Sequence, residues 1–125
     1  MPKTVPELPG IAPSQLPFSK VIEANGLVFL AGQIGDAAGS GPVPGGIQAE
    51  TRQMLVNVGS LLRAVGLDYA DVVKATVYLS DFDDFQAMNE IYRQYFPSEP
   101  PTRATVGVSR LALGARVEIE VIAAR

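Results

Sequence analysis

A chain of 125 residues, 47% apolar and 18% charged, has the size and composition of one folded domain and excludes intrinsic disorder. Thirteen acidic against ten basic residues give a net charge of −3, and the scattered Lys and Arg argue against a nucleic-acid partner. The absence of His and Cys removes the commonest general base, the most reactive thiol nucleophile, the commonest zinc ligands and any disulfide framework.

No apolar run reaches transmembrane length and the first residues show no secretory pattern, so no membrane partner is expected and the cytoplasm is the default location. Residues 1–17 carry prolines at positions 2, 6, 9, 13 and 17, and read as an extended lead-in to a single domain over 1–125. Val21 to Ala24 and Leu27 to Ala31 flank Asn25-Gly26, the strongest two-residue hairpin signal, because both positions tolerate positive φ. Gly32 to Gly46 is rich in glycine and reads as a loop. It matches neither a P-loop nor a dinucleotide fingerprint, which leaves a mobile rim of a cleft.

Ile47, Leu55, Val58, Leu61, Leu62 and Val65 fall at helical spacing, with Gly66 as the C-terminal cap. Gly59 inside this helix weakens it unless something packs closely there. Val72 to Leu79 is a β-branched strand. Ser80 or Asp81 caps a second helix with an apolar stripe of Phe85, Met88, Tyr92, Tyr95 and Phe96, ended by Pro97 and Pro100-Pro101. Asp81, Asp83 and Asp84 fit the acidic first turn of that helix better than a metal cluster, and Asn89 fits a buried hydrogen-bonding role. Pro101 to Val108 and Ala115 to Ile122 then alternate with period two.

The order β-β-α-β-α-β-β implies crossover connections with both helices on one face of one sheet. The other face, carrying Thr, Tyr, Arg and Glu, is left bare, which predicts that another subunit covers it. Arg103 and Thr105 share one face of the penultimate strand; Arg116, Glu118 and Glu120 share one face of the last. A link through Gly114 suggests that these two strands pair as a hairpin, bringing a guanidinium and a carboxylate to one spot where a small anionic substrate is held and hydrolysed. The residues alone also allow Arg103 to be an ion-pair partner at a strand start and Glu118 a solvated carboxylate. Glu120 suits a pair with Arg116 of a neighbouring copy.

An ordered set of segments now points to a family. Ala31-Gly32-Gln33-Ile34, Gly66-Leu67, Asp71 to Leu79, Asp84-Phe85, Asn89, Tyr92, Phe96-Pro97, Arg103-Ala104-Thr105-Val106 and Val117-Glu118-Ile119-Glu120 run collinearly from about Phe18 to Ala124. In this the chain resembles the RidA family of reactive enamine/imine deaminases. The resemblance implies a chorismate-mutase-like α+β fold assembled as a homotrimer, with sites in clefts between subunits. It implies hydrolysis of 2-imino acids, such as 2-iminobutanoate or 2-iminopropanoate, to 2-keto acids and ammonia, with no cofactor and no metal. Arg103 then grips the substrate carboxylate in a forked pair that lysine cannot reproduce. Glu118 is the position of the water-handling glutamate, and Thr105, Gly32, Phe18 and Ala31 are the substrate-side positions.

Three positions depart from the family pattern: Phe18 stands in place of tyrosine, Ala31 of serine and Thr105 of a frequent cysteine. None removes the carboxylate anchor; together they bear on substrate range and turnover. Two other functions fit the same resemblance. One is a ribonuclease acting on messenger RNA, which the acidic balance and the lack of a basic-aromatic groove oppose. The other is a non-enzymatic holdase or small-carboxylate-binding protein that uses the same clefts.

Overall fold

The computed structural model describes residues 2–125. β1 (Val21–Ala24) and β2 (Leu27–Leu30) form the hairpin, and Asn25 and Gly26 turn it with φ of 53° and 77°, the two positive angles that a type I′ turn needs. The proline-rich segment ahead of it is tethered. Thr4 exchanges backbone hydrogen bonds with Glu23 at 2.8 and 2.9 Å and so covers the outer edge of β1.

Gln33–Ile34 lie in the stretch read as loop, yet they form a short strand, β3. The reason is an open edge. β2 pairs with β6 (Val117–Ala124) only from Ile122 to Ala124; β3 fills the edge ahead of it, with Gln33 opposite Ile119 and Ile34 opposite Glu118. The rim beyond is pinned to α1 (Ile47–Ala64). Asn57 Nδ2 donates to the carbonyls of Ile34 and Asp36 at 3.0 and 2.9 Å, and Gly35 lies so close to the Glu50 backbone that a Cβ would collide.

α1 follows its apolar spacing: Met54, Leu55, Val58 and Leu62 are fully buried, and Gly66 leaves the helix at φ 80°. β4 (Val72–Leu79) follows. Asp81 does act as a cap, accepting from the Asp83 N–H at 2.9 Å, but what it caps is a 3-10 turn over Phe82–Asp84; α2 itself runs Phe85–Tyr95. Met88, Ile91 and Tyr92 carry its buried stripe.

The last two strands correct the hairpin expectation. β5 (Thr102–Gly107) lies parallel to β4, β6 lies antiparallel on the other side of β4, and β5 and β6 do not pair. The sheet order is β1-β2-β6-β4-β5, with β3 beside β6. α2 is a crossover, and a crossover returns the chain parallel to the strand it left. Sending β6 to the middle gives it partners on both edges and buries Val117, Ile119, Val121 and Ala123. Both helices cover that one face and are tied together where Gln48 Nε2 donates to the Ala87 carbonyl at 3.1 Å. The opposite face carries Lys74, Thr76, Tyr78, Glu118, Glu120 and Ile122, and among the described residues no helix lies over it. Among the described residues no helix is long and apolar enough to cross a membrane.

Gly59 is explained by its neighbour. The Tyr69 hydroxyl donates to the Leu55 carbonyl at 2.7 Å, directly over the notch that a Cβ at position 59 would fill. The Tyr69 ring also packs edge-on to Tyr95 and Phe96, with centroids 5.4 and 5.9 Å away. Gly59→Ala gains about 1 kcal/mol of helix propensity and loses more by expelling the tyrosine. Urea denaturation is expected to show a net loss of roughly 1–2 kcal/mol; equal or higher stability would mean that the tyrosine moves aside freely.

Candidate active site

Arg103 is the second residue of β5 and stands opposite Ala75 of β4. Ala75 is fully buried, so Arg103 leaves the sheet on the helix side, at its open edge. The guanidinium carbon lies 4.6 Å from the centroid of Tyr92 and 5.7 Å from that of Phe85, both on α2. This aromatic shelf holds the cation in place. None of the ion pairs among the described residues includes Arg103, so the alternative of a structural ion pair finds no carboxylate within the chain. A half-buried cation with aromatic support and no counter-ion is fitted to receive an anion.

Two further groups converge here that the sequence placed in the core. Asn89 Oδ1 and the Tyr92 hydroxyl are buried and lack hydrogen-bond partners. With Arg103, Phe96, Pro97 and Pro101 they line a cavity of about 570 Å³. Burial pushes the Tyr92 phenol above its ordinary pKa while the Arg103 charge opposes the rise, so the hydroxyl stays protonated. The expected buried hydrogen bond of Asn89 is not made at its carbonyl oxygen. The signal for both was present: they stand three apart on one helix face, and the crossover lays that helix over β5. Thr105, opposite Val77, faces the same side two residues beyond Arg103.

The remaining predicted residues gather elsewhere. Glu118 stands on β6 between Tyr78 of β4 and Ile34 of β3, on the bare face. Its carboxylate occupies the space where a Cβ at Gly32 would lie. Gly32 and Phe18 line one cavity of about 560 Å³, and the Ala31 N–H is held by the Lys20 carbonyl at 2.9 Å. Burial raises the pKa of Glu118 above the ordinary carboxylate value, and the charge of Glu120 adds to the rise.

Arg103 and Glu118 therefore do not meet within one chain. Partners across a ladder share a face, and residues an odd number apart along a strand face opposite ways. Arg103 pairs with Ala75 and Glu118 with Tyr78, and the ladder between them is regular, so the two project from opposite sides of the sheet. The convergence expected from a hairpin is replaced by two separate groups, each a candidate half-site: Arg103, Thr105, Asn89 and Tyr92 in one, and Glu118, Gly32, Ala31 and Phe18 in the other.

Arg116 and Glu120 each find a partner within the chain. Arg116 reaches Asp84 at 3.3 Å, while its backbone N–H donates at 2.8 Å to Glu50, a buried carboxylate. Glu120 accepts from the Tyr78 hydroxyl at 2.5 Å. Asp81 and Asp84 are thus a cap and an ion-pair partner.

Residues 10–125 match the family model described as endoribonuclease L-PSP. A goat protein named 2-iminobutanoate/2-iminopropanoate deaminase is 46% identical over 108 residues, covering 86% of this chain and 79% of the relative. Reactive Intermediate Deaminase A of Arabidopsis thaliana, a chloroplastic protein, is 46% identical over 114 residues, covering 90% of this chain and 61% of the relative. Among solved structures, the Rid protein YyfA of Yersinia pestis superposes with a TM-score of 0.89 at 37% identity, covering 99% of this chain and 100% of that one. TdcF of E. coli, solved with bound serine, gives 0.84 at 35% identity over 90% and 91% of the two chains. With nearly the whole chain matched in sequence and in fold, the protein belongs to the RidA family of reactive-intermediate deaminases.

Proposed function

We propose that the protein hydrolyses 2-imino acids and their enamine tautomers to 2-keto acids and ammonia, with no cofactor, as a homotrimer whose sites are shared between neighbouring subunits. The observation that carries this reading is the uncountered Arg103 guanidinium on its aromatic shelf, beside two unpartnered buried polar atoms. The deaminase names of relatives 44–46% identical support the substrate class. The serine held by TdcF, a small carboxylate beside a nitrogen, is in keeping with it. A cytoplasmic setting belongs to the same reading.

The placement of Arg103 and Glu118 on opposite faces supports the sharing. One small substrate touches both only if each comes from a different chain, and a head-to-tail contact of that kind makes a ring when its rotation closes, here at three copies. In the shared site Arg103 grips the substrate carboxylate and Asn89 Oδ1 accepts from the imine N–H. Phe18 walls the site, and backbone near Gly32 orients the substrate. Thr105 stands near the imine nitrogen. Glu118 takes a proton from water as the water oxygen bonds to the imine carbon, and passes it to the nitrogen. The carbinolamine collapses when its hydroxyl proton travels the same route: the C=O bond forms, the C–N bond breaks and ammonia leaves. Water is consumed and no electron changes hands. The description of the matching family model names RNA cleavage, but a net charge of −3 opposes a phosphate-backbone partner. A purely binding role predicts keto-acid affinity without imine turnover.

Arg103→Lys keeps the charge and loses the fork. Calorimetry with a 2-keto acid is expected to show affinity about tenfold to a hundredfold weaker, a cost on the order of 1.5–3 kcal/mol; unchanged affinity would make Arg103 structural.

Glu118→Gln is expected to retain that affinity and lose turnover in a coupled imine assay. Co-assembly of the two variants separates shared from private sites. Each mixed trimer holds one site with both native residues, so random mixing restores about one quarter of wild-type turnover. No recovery in mixed trimers of verified mass would refute a site built from two chains.

Gly32→Ala tests the Glu118 half-site. The added methyl falls on the tip of a flexible side chain, so the fold holds while the carboxylate is displaced. An unchanged melting temperature with reduced turnover is expected; full turnover would detach Glu118 from the chemistry.

A further inference from the structure

The bare sheet face holds four groups that titrate or carry charge. β6 supplies Glu118 and Glu120, and β4 supplies Lys74 and Tyr78. The positions that β2, β3 and β5 bring to this face, namely Phe29, Ile34, Ala104 and Val106, have no ionisable side chain. At the rim, Lys20 gives its ammonium to the Ala12 carbonyl at 2.7 Å, and Asp36 accepts from Asn57 at 3.2 Å.

Within this set the two glutamates are treated differently. They are two residues apart on one strand, so their side chains stem from points about 6.5 Å apart, close enough for like charges to repel. Glu120 accepts from the Tyr78 hydroxyl at 2.5 Å, a bond that fixes its carboxylate toward β4. Glu118 stands directly opposite that same tyrosine in the ladder, yet lies against Gly32, half-buried. One carboxylate is fixed by the tyrosine; its neighbour is not, and lies within reach of its charge.

We infer that Tyr78 and Glu120 are positioning residues for Glu118: the tyrosine fixes the Glu120 carboxylate beside Glu118 on the same face, and that neighbouring charge makes Glu118 the group that takes and returns a proton. The pKa of Glu118, raised first by burial and then by Glu120, agrees with this. So does the phenol of Tyr78, raised chiefly by its bond to Glu120 and therefore kept as a donor. Two carboxylates with environments that push them apart are the usual means of dividing acid–base roles. A glutamate that binds its proton more tightly is also a better base toward water and returns that proton nearer to neutrality. The catalytic use of this pair rests on the role proposed above for Glu118; the sorting of protons does not.

The test is a carboxyl-carbon NMR titration of the intact protein labelled at glutamate, run beside the pH–rate profile for imine hydrolysis. Replacing Glu120→Gln removes one negative charge about 6.5 Å away and is expected to lower the proton affinity of Glu118 by about threefold or more. Its titration moves to lower pH, and the acid limb of turnover moves with it. Tyr78→Phe releases the Glu120 carboxylate and is expected to move the Glu118 titration as well. A Glu118 titration unmoved by Glu120→Gln, or unmoved by Tyr78→Phe, would overturn the inference. The expected NMR shifts in a protein with no imine turnover would support the proton sorting and refute only the deaminase reading.

Discussion

Strand β6 is hydrogen-bonded on both edges, to β4 along one side and to β3 and then β2 along the other. That double pairing removes any freedom of register. Val117, Ile119, Val121 and Ala123 must turn toward the helices, and Glu118 and Glu120 must therefore turn away. A slip of one residue would bury two carboxylates in the core and expose four apolar residues. The proposed chemistry follows the same alternation, because Glu118, the residue proposed to handle water, is one that the core cannot accept.

The charged groups divide by whether the chain satisfies them. Glu50 is buried but engaged: it accepts the Arg116 N–H, and the Arg116 side chain reaches on to Asp84, joining the first helix, the start of β6 and the entrance to the second helix. Glu23 and Arg125 clamp the hairpin to the end of β6, and the same arginine donates to the Val65 carbonyl at 2.8 Å, where α1 stops. These are structural pairs. Arg103 has no such partner, and Asn89 Oδ1 and the Tyr92 hydroxyl beside it are buried without one. Unsatisfied polar atoms in a packed fold are costly. Their clustering around one cation is the feature of this molecule that points most directly to a ligand.

In the proposed assembly the two half-sites give the bare sheet face its purpose. On that reading each is incomplete by itself: one would grip an anion without a proton acceptor, the other would hold a carboxylate without an anchor for substrate. Cyclic assembly joins unlike surfaces in repeated copies, so complementary halves on one chain suffice to build a full site at every junction. An exposed polar sheet face and a shared site are then two aspects of one arrangement.

Local features were legible in the sequence because they depend on neighbours a few positions apart. Asn25-Gly26 demanded a tight turn, the apolar spacing of Leu55, Val58 and Leu62 demanded a helix that Gly66 ends, and Gly59 read as a weak point unless a neighbour packed closely there, which Tyr69 does. The ordered run from Ala31 to Glu120 carried the family, and with it the roles expected of Arg103 and Glu118. Strand order was not legible. The hairpin expected between the last two strands failed because pairing is decided over long separations: the α2 crossover commits β5 to lie parallel to β4, and β6, buried on one whole face, fits best where both its edges are filled. The short strand at Gln33–Ile34 exists only because that placement leaves an edge to fill. What tertiary structure alone decided is that Arg103 and Glu118 face opposite ways, and that Asn89 and Tyr92 stand beside the arginine, since periodicity along a strand says which residues share a face but not which face another strand will present beside it.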